Sequence, residues 1–440
     1  MYVSSNNGSG AVVTSIKGCL IVLCNLFVHL GYAQTSPVPP GAPSAEDTFQ
    51  GVTFNHVEYQ LRDPAAVNAI EFTPLALSNI TAAWTDEGVL LSNFYSMYNP
   101  NVVQVPDLEH PFMMYFFGWA ADICNPNFPG CDAVFLARGT SLTNWEVYSS
   151  TEGGRAKYES ALDAAAWQPV LLNGESFYDQ WHLGDPSVIK IQDTFFMAYS
   201  VTGFDADGLN PHAADAIERA NDRDGFYLTI GGAYSQDGVN WHKLPRPLLS
   251  TPIELGAEDP PLQAMFHRPS LMYDGDRFKI WFDYRYSTAP QARGLALGLA
   301  ELKGPPTIET FSNQQWVVVQ GAQSPAIISW PNPSIIKTPV GYFAYSDPKG
   351  FAQTKWVERK VVEAYSKDGY EWLINGYIEP DSDCAANHVP EAHYSNGRIY
   401  LLTGCMPVGT PAESPRYTSI RLKSRALPGI SKTVDEHHGQ

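Results

Sequence analysis

Five dipeptides place chemistry-bearing residues at matching points of a repeated block: Asn99-Pro100, Asp185-Pro186, Arg268-Pro269, Asn332-Pro333 and Val389-Pro390. Side chains on one strand share a face at every second residue, so the residues flanking each proline should face alike. Asn99 and Asn101, Asp185 and Ser187, Arg268 and Ser270, Asn332 and Ser334, and Val389 and Glu391 are then equivalent pairs. Two of these residues are carboxylic acids, Asp185 and Glu391, and two carboxyl groups whose surroundings separate their pKa values can divide the roles of acid and base. A nearby arginine favours the charged form of a carboxylate, so Arg268 is expected to keep Asp185 ionised. Asp185 is therefore read as base or charge stabiliser and Glu391 as proton donor, with Glu258 and Asp259 in reserve ahead of the third block. Asn99 cannot serve as a general base, and Arg268 cannot donate a proton near neutrality. Asp283, inside Trp281-Phe-Asp-Tyr-Arg285, is expected to pair with Arg285.

Four histidines precede or enter the same strands: His182, His267, His388 and His393. One such histidine is usually a structural group, but four near equivalent strand ends predict a polar cavity. Aromatic residues crowd the same entrances, namely Tyr98, Trp181, Phe266 and Trp330. Most aromatics of the chain are expected to pack between repeats.

The elements that position these residues follow from the repeat. Behind the prolines come second strands: Pro111-Phe-Met-Met-Tyr-Phe-Phe-Gly, Phe195-Phe-Met-Ala-Tyr-Ser, Phe278-Lys-Ile-Trp-Phe-Asp-Tyr, Tyr342-Phe-Ala-Tyr-Ser and Ile399-Tyr-Leu-Leu-Thr-Gly. Runs rich in aromatic and aliphatic residues between turn signals read as strands. Trp84, Trp167, Trp241, Trp316 and Trp372 stand ahead of the five blocks. Ala233-Tyr-Ser-Gln-Asp-Gly-Val-Asn-Trp241 and Ala364-Tyr-Ser-Lys-Asp-Gly-Tyr-Glu-Trp372 supply Asp-Gly turns, where glycine takes the positive φ of a tight hairpin. Self-similarity at this period predicts one unit copied around an axis, an all-β, five-bladed β-propeller. Counting strands leaves the fifth blade one short, so Ala82 to Leu91 is expected to complete it against Tyr417 to Lys423 and remove an open edge.

The formal net charge of −18, with scattered basic residues, offers no footprint for nucleic acid or an anionic membrane. Residues 1–33, with an apolar run after Lys17 and a small-residue site ending at Ala33, read as a signal peptide rather than an uncleaved anchor. Residues 34–50 read as a Pro-rich linker, 51–426 as the propeller and 427–440 as a mobile tail. The predicted location is secreted or periplasmic. Cleavage would leave Cys124, Cys131, Cys384 and Cys405, and proximity favours Cys124–Cys131 and Cys384–Cys405 disulfides. No Cys-x-x-Cys pair supports a zinc site.

The Asp-Pro-Ser-Val-Ile opening, the Phe-Phe-Met-Ala-Tyr-Ser strand and the Ala-Tyr-Ser-x-Asp-Gly-x-x-Trp exit resemble the five-bladed β-propeller glycoside hydrolases, the arabinanase, β-xylosidase and invertase-like group. The resemblance runs from Trp84 to Lys423. It implies hydrolysis of an extracellular oligo- or polysaccharide at the channel mouth, by carboxylates on the first three blades. Only Asp185 matches that set, since the first blade carries Asn99 and the third Arg268. A partial likeness to propeller glycoside phosphorylases rests on the Asn-Pro opening, and a non-catalytic carbohydrate-binding propeller is the rival from another class. The expected catalytic residues are Asp185 and Glu391. The expected sugar contacts are Asn99, Trp181, His182, His267, Arg268, Asn332 and His388, with stacking on Trp181 and hydroxyl recognition by the polar members. No cofactor is expected; a structural calcium ion in the channel is allowed.

Overall fold

The computed structural model describes residues 78–94, 96–105, 109–119, 132–161, 164–174, 179, 182–203, 227–249, 265–285, 296–312, 316–318, 330–348, 360–410 and 417–427. The predicted signal peptide and linker, the tail beyond Leu427, Cys124, Cys131, Trp181, Glu258 and Asp259 lie outside them. Of His182 only the backbone is described, as the first residue of its strand.

The chain forms five antiparallel sheets, the blades of a five-bladed β-propeller. β1 (Thr85–Ser92) comes first and belongs to the last blade. Blade one runs through β2 (Ser96–Gln104), β3 (Phe112–Trp119), β4 (Asp132–Ser141) and β5 (Asn144–Glu152), is extended by β6 (Arg155–Ser160), and has β7 (Pro169–Leu172) returning to β4. Blade two is β8 (His182–Ile191), β9 (Thr194–Gly203), β10 (Tyr227–Ser235) and β11 (His242–Lys243). Blade three is β12 (Met265–Asp274), β13 (Arg277–Arg285), β14 (Ala296–Lys303) and β15 (Val317–Val318). Blade four is β16 (Ser334–Thr338), β17 (Gly341–Ser346), β18 (Val361–Ser366) and β19 (Leu373–Ile378). Blade five is β20 (Cys384–Ser395), β21 (Arg398–Pro407), β22 (Ser419–Ala426) and β1.

The predicted closure is present: Thr85 pairs with Ser424, Val89 with Arg421 and Ser92 with Ser419. The N-terminal strand thus covers the edge that β22 would otherwise leave open. A disulfide joins Cys384 on β20 to Cys405 on β21, as expected. The Asp-Gly turns also follow their chemistry. Gly238 and Gly369 have φ of 76° and 85°, Asp237 and Asp368 accept the next backbone N–H groups, and Trp241 Nε1 donates to Gly238 O. These turns serve the adjacent blades as well, since Tyr115 donates to Gly238 O and Trp281 to Gly369 O.

Aromatic side chains fill the seams. Trp167, Trp281, Trp316 and Trp330 are fully buried, and one cluster joins Phe196 of blade two to Phe266, Phe278 and Phe282 of blade three. Burying such rings removes the apolar surface that dominates the stability of packed sheets.

Each first strand is broken at its proline. Asn99, Asp185, Arg268, Asn332 and Val389 have φ between 43° and 53°, which makes them five of the eight described non-glycine residues with positive φ. A β-bulge shifts the register beside four of them, as between Tyr98 and Asn101 and between Gly184 and Ser187. Such backbone costs about 1–3 kcal/mol per residue and persists only where the surroundings over-determine it.

Candidate active site

Two belts of polar side chains hold the strained strands in place. The residue after each proline supplies the inner staple: Asn101 Oδ1 accepts Val188 N–H at 2.8 Å, Ser187 Oγ accepts Leu271 N–H at 2.8 Å, Ser270 Oγ accepts Ile335 N–H at 2.9 Å, and Ser334 Oγ accepts Ala392 N–H at 2.9 Å. Glu391 is the fifth member, and its Oε1 accepts Asn101 Nδ2 at 2.6 Å. The second belt comes from the middle strands. Ser200 Oγ accepts Arg268 N–H, Asp283 Oδ2 accepts Asn332 N–H and Asp347 Oδ2 accepts Val389 N–H. A residue held in a sparse conformation thus has its N–H satisfied by the preceding blade. At the other two seams the packing is close: a Cβ on Gly184 would lie 2.3 Å from the Phe117 ring, and one on Gly404 2.7 Å from Tyr98 Cβ.

Between the belts the pre-proline side chains meet. Arg268 Nε donates to Asp185 Oδ2 at 3.3 Å, its NH1 donates to Asn332 Oδ1, and Asn332 Nδ2 donates to Asp347 Oδ1. Asp347 Oδ2 lies 2.5 Å from His388 Nδ1, and His388 stacks on Tyr417 with centroids 4.5 Å apart and meets Tyr98 at 5.1 Å. His267 sits between two carboxyl groups, its Nε2 3.4 Å from Asp185 Oδ2 and its Nδ1 3.8 Å from Asp283 Oδ1. Asn99 Nδ2 donates to Pro186 O at 3.3 Å and so touches the Asp185 turn from blade one.

The cluster is buried, with Asp185 and Asp283 each 1% exposed; the Arg268 side chain, at 13%, is its most open member. Burial pushes Asp283 up to about 7 against the pull of Arg268 and the Asn332 N–H, with Asp185 and Asp347 adding to the rise. Burial likewise pushes Glu391 up to about 8, against hydrogen bonds from Ser334 and Asn101. Arg268 is desolvated, yet Asp185, Asp283, Tyr98 and Asp347 together hold its guanidinium above the usual arginine range. His393, on β20 beyond Glu391, is pushed down to about 4 by burial and is neutral. Asp185 Oδ1 is buried and has no hydrogen-bond partner among the described residues, which leaves one open acceptor in the cluster.

Of the predicted residues, Asp185, His267, Arg268, Asn332 and His388 converge, and Asn99 adjoins them. Asn332 is committed within the cluster through both ends of its amide. Glu391 stands on the stapling belt, joined to Asn101. Two carboxyl groups of the cluster escaped the sequence reading. Asp283 faces His267 and the Asn332 N–H, the side chain of its expected partner Arg285 lying outside the described residues, and Asp347 links Asn332 to His388. The signal for both was in the repeat: Ser270 pairs with Trp281 and Ser334 with Tyr345, so Asp283 and Asp347 occupy one position two residues further along their strands. Ser200 fills the same position in blade two, where Ser187 pairs with Ala198.

Asp347 has both oxygens engaged by Asn332, His388 and the Val389 N–H, and Asp185 faces the Arg268 guanidinium. Arg268 supplies the positive charge there, and among the described residues no group of three His, Cys, Asp or Glu has a metal-binding arrangement.

No family model and no curated protein matches the chain. Solved structures do. One described as "Glycoside hydrolase" is 14% identical, with 81% of this protein and 95% of that one covered at a TM-score of 0.51. A thermostable family-43 glycoside hydrolase is 12% identical over 78% of this protein and 93% of its own length, at a TM-score of 0.48. At such identities the likeness concerns the propeller fold.

Proposed function

We propose that this protein cleaves a glycosidic bond of an oligo- or polysaccharide at the pre-proline cluster. The observation that carries this reading is the pair Asp185 and Asp283, on either side of His267, with Asp185 opposite a guanidinium and Asp283 lifted to about 7. Glycoside hydrolysis needs one carboxylate that is ionised and one carboxyl that still carries its proton. In this mechanism Asp283 passes its proton to the glycosidic oxygen as the bond to the anomeric carbon breaks. Asp185 stabilises the cationic sugar centre or takes a proton from the attacking water. Arg268, His267 and Asn99 supply hydroxyl contacts, and Trp181 and His182 remain the stacking and polar contacts expected from sequence.

A second assignment makes Glu391 the acid, favoured by its neutral carboxyl near pH 7. Its engagement with Asn101 and Ser334 ranks it below Asp283. Export is part of the proposal, supported by the apolar N-terminal run and by a disulfide of the kind found in oxidising compartments.

The test is a screen of arabino-, xylo-, fructo- and galacto-oligosaccharides with chromatographic detection of products. Turnover by the wild type and a loss on the order of hundredfold or more in Asp185→Asn is expected. Tight binding without turnover in any substrate would replace this reading with a carbohydrate-binding propeller, for which Asn99 and Arg268 at the other acid positions speak.

A further inference from the structure

The seam where blade five's β22 meets blade four holds a cavity of about 440 Å³, and none of its lining residues belongs to the pre-proline cluster. That volume falls within the range of small-ligand sites. Its walls include Ile80, Phe343 and Tyr365, and its polar groups are Glu363, Asn375 and Arg425.

Glu363 and Arg425 are built in, and Asn375 stands at the exposed rim. Glu363, 1% exposed, accepts Tyr345 OH at 2.8 Å and Asn375 Nδ2 at 2.8 Å, and lies 2.6 Å from Arg425 NH2. The Arg425 guanidinium sits 4.9 Å over the Trp84 ring and 5.6 Å over Phe343, which fixes its plane. Glu363 and Arg425 cancel in charge, so an ion of either sign would have to break a buried pair to bind, and such pairs are costly to break.

Arg425 is 7% exposed, and its Nε–H has no hydrogen-bond partner among the described residues. The Nε atom is itself closed off from the cavity, so the groups able to meet a bound molecule are those of Asn375 and Tyr365. Asn375 keeps its amide oxygen as acceptor, and Tyr365, whose hydroxyl donates to Val340 O at 2.6 Å, keeps oxygen lone pairs. The complement of an uncharged cavity with fixed polar groups and aromatic walls is a neutral molecule with several hydroxyls and one apolar face.

We propose that this seam is a second saccharide-binding site, which holds a short stretch of a neutral glycan at a distance from the bond being cleaved. The identity of the ligand class rests on the carbohydrate reading above, whereas the site itself does not require the channel to be catalytic.

The experiment uses the whole chain with Asp185→Asn to silence the channel. Saturation-transfer NMR is run with xylotriose, arabinotriose, cellotriose and maltotriose, and with glucuronate as a charged control. Val340→Trp, at a rim position that is 38% exposed, fills the cavity without removing the buried pair, and Tyr365→Ala removes one wall. The expected result is binding of at least one neutral trisaccharide to Asp185→Asn, weakened tenfold or more by each second change, with glucuronate silent. In the otherwise wild-type protein, Val340→Trp should raise KM for long glycans and leave kcat on short substrates unchanged. No binding to Asp185→Asn, or binding untouched by both cavity variants, overturns the proposal. Loss that follows Val340→Trp in a protein with no turnover would sink the glycosidase reading and leave the seam site standing.

Discussion

Arg268 donates through Nε to Asp185 and through NH1 to Asn332, so one guanidinium ties three consecutive blades together at the strained residues before their prolines. A lysine has the charge but lacks the planar fork that serves two partners. Arg268→Lys should therefore fold, lose one of the two contacts, and lower kcat/KM by about tenfold to hundredfold, chiefly through kcat. An unchanged kcat with native circular dichroism would remove Arg268 from the site.

The proton donor can be read from the alkaline limb of the pH–rate profile. A donor works in its protonated form, so the rate falls as pH rises through its pKa. With Asp283 as donor the limb should lie near 7, and Asp283→Asn should abolish turnover while Glu391→Gln retains most of it. A limb near 8, with activity surviving in Asp283→Asn and lost in Glu391→Gln, would transfer the role to Glu391.

Glu391 also predicts how stability varies with pH. Its folded pKa, about 8, lies above its ordinary value of 4.5, so the folded state holds a proton that the unfolded chain releases. The contribution of this group is complete below about 4.5 and is lost as pH rises through about 8. Asp283 acts with the same sign between 3.8 and about 7, whereas His393, lowered from 6.5 to about 4, costs stability as pH falls through that interval. Urea denaturation of Glu391→Gln should show it gaining more than about 1 kcal/mol on the wild type between pH 5 and pH 9. A constant difference across that range would contradict the assignment.

Gly184 is a packing requirement. A Cβ there meets the Phe117 ring at 2.3 Å, so Gly184→Ala should cost about 1–3 kcal/mol through overpacking. Trimming the obstacle in the double variant Gly184→Ala/Phe117→Leu should recover part of that loss. Additive losses in chemical denaturation would show that the two residues do not share the clash.

What the sequence determined by itself was whatever repeats locally. Period-two strands, the Asp-Gly turns before Trp241 and Trp372, and five proline blocks are written in neighbouring residues, because side-chain alternation and turn geometry act over a few positions. Strand counting then required β1 to close blade five, and proximity in the chain paired Cys384 with Cys405. The convergence of Asp185, Arg268, Asn332 and His388 was legible too, since equivalent points of a ring of repeats meet at its axis. The tertiary structure decided which carboxyl groups join them. Asp283 lies on the second strand of blade three and Asp347 just past the end of that of blade four, and they reach the site across the seams, through contacts with Asn332 and Val389 on the following blades. The residues flanking each proline part, the one after it joining the stapling belt and the one before it the buried cluster, because the backbone there takes a positive φ and a bulge, which interrupts strand alternation. Glu391 for that reason staples blade five to Asn101, a partner 290 residues away, and only closure of the ring brings the two together.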